Sequence, residues 1–187
     1  MAETITPVVH GGRRGPYLVA SALHVAGATA SAAVLGIVLG GLGALARAPW
    51  DATPFVVAAL AVVYCAREAF ALPIPLPDRK RQVPEWWRTF YSPAVAALLY
   101  GAGLGIGFLT YLSFGTFAVV MAGAVVSGDP LQGALLCGAF GAARGLAVVA
   151  VTWNGPRDLD EVAASPGPRL ANAAVLACVA GVAALAA

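Results

Sequence analysis

The chain has 187 residues, of which 60% are hydrophobic and 11% are charged, and its formal net charge at pH 7 is +2. Ordinary soluble domains carry about a quarter charged residues, so a water-soluble fold of this size would leave too much apolar surface in water. The small charge, with its basic residues in loops and no aromatic-interleaved basic patch, excludes nucleic-acid binding. The composition therefore predicts an all-α integral membrane protein surrounded by the lipid bilayer.

Five apolar runs are long enough to cross that bilayer, whose core of about 30 Å requires about 20 helical residues. They predict one transmembrane domain over residues 1–187, a bundle of about five transmembrane helices. The first 16 residues lack the layout of a secretory signal, so the first run is interpreted as a retained span. The predicted spans are, in chain order, 17–46, 54–72, 93–126, 130–153 and 170–187.

The third run, 93–126, is too long for one straight span, since thirty-odd helical residues reach about 50 Å. Glycine occupies positions 101, 103, 105 and 107, and each glycine costs about 1 kcal/mol of helix stability relative to alanine. This pattern predicts a broken helix, which membranes tolerate where the freed backbone is buried in protein or lines a cavity. One broken span and two separate crossings both remain open at this point.

Orientation follows from the distribution of arginine and lysine, which favour cytoplasmic loops. With five spans, Arg47 stands alone on one side, and the other side holds every other basic residue outside the spans. Residues 1–16 and the loops 73–92 and 154–169 are therefore predicted to be cytoplasmic, with the carboxyl terminus outside the cell (inner) membrane. Splitting the third run into two crossings weakens this asymmetry, so five spans are favoured over six.

Two ionisable residues, His24 and Arg144, lie inside predicted spans at similar depth. Such residues usually face a cavity or a partner, and interrupted helices bind small solutes at the interruption. Together with the polar residues after the glycines, they predict a pathway lined by His24, Thr110, Tyr111, Ser113 and Arg144. The alternatives are an arginine that reaches the interface, a histidine bonded to a backbone carbonyl, and polar residues that satisfy freed backbone groups.

Three small-residue spacings predict close approach of helix backbones. They are Gly36-x-x-x-Gly40, Gly103-x-x-x-Gly107 and Gly141-x-x-x-Gly145. Arg67 and Glu68 are predicted to sit at the cytoplasmic interface. The three cysteines fall on three different spans, and the chain shows no pattern for metal, cofactor or catalysis, so it is predicted not to be an enzyme and to bind no cofactor.

The order of several segments resembles the CcdA/DsbD-type transmembrane thiol electron carriers of cytochrome c maturation. The segments are Gly27 to Ala32, Tyr64 to Leu76, Tyr100 to Thr110 and Ser127 to Leu136. The resemblance implies a CcdA-like scaffold that lacks the family's first span. The family's Thr-Pro-Cys motif is matched here by Thr110-Tyr111-Leu112, so neither redox cysteine of the family is present.

Three hypotheses of function follow from the scaffold and the polar residues. The first is a non-redox small-solute pathway or an accessory membrane subunit, as a homodimer or with a membrane partner. The second is transmembrane thiol electron transfer or cytochrome c maturation that uses a partner's cysteines. The third is a helical membrane anchor that holds another protein through the loop from Asp78 to Arg88.

Overall fold

A computed structural model describes residues 14–46, 53–75, 86–107, 115–153 and 167–185 of the chain. Their regular secondary structure is entirely α-helical, which confirms the all-α part of the predicted fold class. In chain order the helices are α1 Arg14–Leu45, α2 Thr53–Phe70, α3 Trp87–Phe90, α4 Pro93–Ile106, α5 Thr116–Ser127, α6 Pro130–Trp153 and α7 Gly167–Leu185.

Three of these helices, α1, α6 and α7, are long and apolar enough to cross a membrane. They correspond to the first, fourth and fifth predicted spans. The second predicted span corresponds to α2, which has 18 residues and carries Arg67 and Glu68 near its end. The third is divided between two shorter apolar helices, α4 and α5.

The third apolar run leaves helical geometry at Gly107, as the glycine pattern predicts. Gly107 has φ +74°, a backbone conformation that side-chain-bearing residues rarely adopt. A Cβ atom there would also lie 2.3 Å from the ring of Phe117, so the position requires glycine on two counts. The helix resumes at Thr116, and the intervening residues 108–114 lie outside the described part of the chain.

Helix α1 packs antiparallel to α6 with almost no space between the backbones. A Cβ on Gly36 would lie 2.0 Å from the carbonyl oxygen of Gly133, and one on Gly141 would lie 2.5 Å from that of Ala28. Gly40 is equally confined by Asp129. The close approach predicted for the first and third glycine spacings is therefore confirmed. It is possible because glycine has no side chain to hold the two helix backbones apart.

Helix α4 packs against the amino-terminal half of α1 and runs in the same direction. Gly101 lies against the backbone of His24, and Gly105 lies against the backbone of Ala28 one turn further along α1. The hydroxyl of Ser31 donates a hydrogen bond of 2.8 Å to a carbonyl oxygen of α4. The α1–α4 seam is thus another glycine-lined contact.

Helix α5 continues in that direction along the remaining half of α1. Its last turn reaches the carboxyl-terminal end of α1, where Gly43 lies against the carbonyl of Val125. Its first turn stacks Phe117 on Phe140 near the middle of α6, with ring centroids 5.8 Å apart. Helices α4 and α5 therefore form successive halves of one interrupted rod beside α1.

Helices α2 and α7 form an antiparallel pair that packs on α5. The Cys65 thiol donates a hydrogen bond of 3.3 Å to the carbonyl of Ala173. Ala61 and Leu176 are buried with Val119 of α5 in one apolar cluster. Since α2 is antiparallel to α5 and α7 is antiparallel to α2, the rods α1, α2, α4–α5, α6 and α7 alternate in direction.

Small residues predominate in the interior of the described bundle, and many large apolar residues lie on its exterior. The buried positions of α6, for example, are four glycines, a cysteine and a threonine. Leu131, Leu135 and Leu146 of the same helix are exposed. This distribution reverses that of a soluble protein and suits a surface in contact with hydrocarbon.

Candidate functional site

Polar side chains gather where α4 ends and α5 begins, which we call the break site. It comprises Glu68 and Arg67 of α2, Arg169 and Asn172 of α7, Thr116 of α5 and Arg144 of α6. Each occupies an apolar helix, and two of them bind backbone groups at the interruption of α4–α5: Glu68 accepts from the N–H of Gly115, and Arg144 donates to the carbonyl of Leu104. Buried polar groups in such surroundings require partners, so each contact bears on folding or function.

The Glu68 carboxylate is the most buried charged group of the break site, with its side chain 1% exposed. It forms an ion pair with Arg67, and its second oxygen lies 4.0 Å from Nε of Arg169. It also accepts a hydrogen bond of 3.3 Å from the backbone N–H of Gly115, just before α5. Glu68 therefore connects α2, α7 and the start of α5.

The two arginines around Glu68 also bind backbone carbonyls. Arg67 donates from Nε to the carbonyl of Ile74 over 2.8 Å, which ties the segment after α2 back to that helix. Arg169 donates to the carbonyl of Glu68 itself over 3.4 Å. The sequence prediction of an interfacial Arg67 and Glu68 missed this role, since two partners of Glu68, Gly115 and Arg169, come from segments distant in the chain.

Asn172 and Thr116 join α7 to the first turn of α5. The Thr116 hydroxyl donates a hydrogen bond to Oδ1 of Asn172. The other amide atom, Nδ2 of Asn172, is buried and has no partner among the described residues. Asn172 was not predicted as a site residue. The signal available for it was a single carboxamide inside an otherwise apolar final run.

Arg144 enters the break site from α6. Its Nη1 donates a hydrogen bond of 3.1 Å to the carbonyl of Leu104, in the last turn of α4, and its Cζ lies 5.8 Å from the ring centroid of Phe140. Arg144 therefore satisfies one carbonyl left free where α4 ends, as expected for a helix terminus inside a bundle. No carboxylate among the described residues pairs with it.

His24 lies in the α1–α4 seam and is 1% exposed. Its Nδ1 is 3.3 Å from the carbonyl oxygen of Ala97, to which it donates, and its Nε2 is buried without a described partner. Seven residues separate Ala97 from Leu104 on α4, which is about 10 Å along the helix. The backbones of His24 and Arg144 lie at one level of the α1–α6 seam, where a Cβ on Gly145 would lie 3.1 Å from Cα of Val25, but their side chains bind different turns of α4.

The remaining predicted pathway residues, Thr110, Tyr111 and Ser113, lie in the segment 108–114, outside the described residues. The three cysteines are free and occupy three helices. Cys137 is buried with Ala32 and Ala124 at the α1–α5–α6 junction, whereas Cys178 is exposed on α7.

Comparison with known proteins identifies relatives that are named for methylamine use. The chain is 35% identical over 130 residues to methylamine utilization protein MauF of Paracoccus versutus, which covers 68% of this chain and 47% of that protein. It is 34% identical over 127 residues to MauF of Methylophilus methylotrophus, covering 67% of this chain and 45% of the relative. It is similar to MauF.

The MauF of Paracoccus denitrificans is 32% identical over 129 residues, or 68% of this chain and 47% of the relative. The chain spans about half the length of the curated relatives it matches. No family model matches the chain. No solved structure matches it either.

These relatives correct the predicted family and the functions drawn from it. The resemblance to CcdA/DsbD-type carriers is wrong, because the matched relatives are MauF proteins. The small-solute pathway on a CcdA-like scaffold and the role in cytochrome c maturation are wrong with it. The resemblance rested on glycine-rich spans and basic, proline-rich loops, and the structure uses those glycines for close packing between helices.

Proposed function

We propose that this chain is a membrane-embedded accessory protein of methylamine utilization and is not itself an enzyme. The observation that carries the proposal is the similarity to MauF, at 32–35% identity in the three comparisons above, across about two thirds of the chain. Three helices long and apolar enough to cross a membrane support the location. The accessory role also agrees with the predicted alternative of an accessory membrane subunit.

The contacts of the break site and of His24 favour a scaffolding role over catalysis. Glu68 is held by two arginines and a backbone N–H, and Arg144 is engaged by a helix end. His24 donates to a backbone carbonyl. These side chains are bound to the bundle itself, so they stabilise an interrupted helix in apolar surroundings.

Deletion of this reading frame in the source organism tests the proposal. We expect the deletion strain to stop growing when methylamine is the sole nitrogen source and to grow normally on ammonium. Reintroduced wild-type chain should restore growth on methylamine. Growth curves on the two nitrogen sources measure the effect.

Two variants serve as matched controls for the complementation. Gly41→Ala changes a position with open space around it and should restore growth, whereas Gly36→Leu disrupts the α1–α6 seam and should not. A deletion strain that uses methylamine as well as its parent contradicts the proposal.

We further propose that the chain crosses the membrane five times, with its amino terminus in the cytoplasm. The alternating directions of the rods α1, α2, α4–α5, α6 and α7 support an odd number of passes, since α4 and α5 then share one. The orientation is supported by the cytoplasmic preference of arginine and lysine, which leaves Arg47 alone outside.

Reporter fusions test this topology. Alkaline phosphatase, which is active only outside the cytoplasm, should be active when fused after Ala187 or after Pro49, and inactive after Gln82 or after Asp158. Green fluorescent protein at the same four positions should give the reverse pattern. Active phosphatase after Gln82 refutes the orientation, and equal activity after Gln82 and Pro49 refutes the pass between them.

A further inference from the structure

A cavity of about 400 Å³ lies between α5, α6 and α7 beside the break site. Phe117, Phe140 and Val175 form part of its apolar wall. Ala143 and Ala147 of α6 and Ala171 of α7 line it and are also exposed, so the cavity opens at the surface between these two helices. Both helices are apolar enough to cross a membrane, so this opening faces hydrocarbon.

Two nitrogen donors line this otherwise apolar cavity. The Arg144 guanidinium carries five N–H groups. The hydrogen bond described for it, to the carbonyl of Leu104, uses a single nitrogen. The Asn172 amide binds Thr116 through its oxygen and leaves its buried nitrogen unpartnered among the described residues. The described lining includes no carboxylate, so the cavity offers positive charge and donors without an anion to receive them.

An oxyanion complements this arrangement. A guanidinium taken out of water is costly unless it is paired, and carboxylate or phosphate accepts two of its N–H groups side by side. The apolar walls require that the rest of the ligand be apolar. A molecule with one oxyanion and one hydrocarbon chain satisfies both, and the surrounding lipid supplies such molecules directly through the opening between α6 and α7.

We propose that the cavity binds an anionic amphiphile from the membrane. Its carboxylate or phosphate receives hydrogen bonds from Arg144 and from Nδ2 of Asn172. Its acyl chain lies against Phe117, Phe140 and Val175. The proposal does not rest on the role in methylamine utilization, because it concerns binding by the purified protein and is measured without growth or activity.

Binding of radiolabelled palmitate to the full chain, purified in an uncharged maltoside detergent, tests the proposal. We expect saturable binding of about one palmitate per chain, with methyl palmitate and phosphatidylcholine as poor competitors because they lack a net negative charge. Arg144→Gln should weaken binding at least about tenfold, since hydrogen bonds to a charged group are worth about 1.5–3 kcal/mol. Arg14→Gln, which changes an exposed arginine at the start of α1, should bind as wild type does.

Phosphatidylglycerol distinguishes the two sources of the oxyanion. If it displaces palmitate, the site accepts a phospholipid phosphate, and if it does not, the site is a fatty-acid site. Ala147→Phe keeps Arg144 and fills the opening, so it should also abolish binding and serves if Arg144→Gln fails to fold. Equal displacement by palmitate and methyl palmitate overturns the proposal. So do unchanged binding by a folded Arg144→Gln or Ala147→Phe variant, and failure of the folded wild type to bind either anion.

Discussion

Replacing Gly36 by leucine is expected to cost about 3 kcal/mol or more of folding free energy, at the upper end of the range for overpacked cores. A side chain at this position would place its Cβ 2.0 Å from a backbone oxygen of Gly133. The obstructing atom belongs to the backbone of α6, so no rotamer change relieves the overlap and the two helices must separate. Thermal unfolding in detergent, followed by tryptophan fluorescence, measures the loss.

Gly41→Ala is the matched control, because Gly41 lies on the same helix with no atom within 4 Å of an added Cβ. There the change removes only the helix-weakening effect of glycine, so we expect unchanged or increased stability, by up to about 1 kcal/mol. A Gly36→Leu variant that unfolds at the wild-type temperature would show that α1 and α6 do not pack as described.

Replacing Arg67 and Arg169 together by glutamine is expected to destabilise the bundle by about 3–5 kcal/mol, the range for breaking a buried ion pair by removing one sign of charge. The Glu68 side chain is 1% exposed, whereas those of Arg67 and Arg169 are 21% and 43% exposed. The change therefore destabilises the carboxylate, which among the described residues keeps the N–H of Gly115 as its one hydrogen-bond donor. Each single variant leaves one arginine and should cost less.

Adding Glu68→Gln to the double variant should recover much of that stability. The triple variant has no uncompensated charge, and the glutamine oxygen still accepts from Gly115. Chemical unfolding curves of the wild type, the double variant and the triple variant compare the free energies. If the triple variant is no more stable than the double variant, the stability of the break site does not depend on charge.

The predictions that succeeded from sequence concern single segments. Five apolar runs predicted the helical regions, and the glycines up to Gly107 predicted the interruption between α4 and α5. The spacings at Gly36 and Gly141 predicted close helix contacts. Each depends on the local balance of hydropathy, helix propensity and side-chain size, which neighbouring residues determine.

The predictions that failed or stayed incomplete concern relations between segments. His24 and Arg144 were placed together because distance along a helix gives depth, but depth does not say which face a residue occupies. In the structure His24 donates to Ala97 within the α1–α4 seam, and Arg144 lines a cavity towards α5 and α7. Asn172 was not predicted as a site residue because its partner Thr116 is 56 residues away in the chain.

The CcdA/DsbD resemblance failed for a related reason. Small-residue spans joined by basic, proline-rich loops satisfy requirements that many helical membrane proteins share, namely close helix packing and cytoplasmic loops. The motif that distinguishes the thiol carriers was absent from this chain at Thr110 to Leu112. Direct similarity to MauF over 130 residues compares many positions and therefore discriminates where a pattern cannot.

By itself, the amino-acid sequence determined that this protein is helical, apolar on its outside and interrupted near Gly107. Tertiary structure alone decided that α4 and α5 lie end to end beside α1, that Arg169 of the last helix lies against Glu68, and that three helices line an open cavity with Arg144 in its wall. The physical reason is the distance along the chain over which each interaction acts. Helix formation depends on residues within a turn or two, whereas pairing and cavities depend on backbones from distant segments meeting face to face.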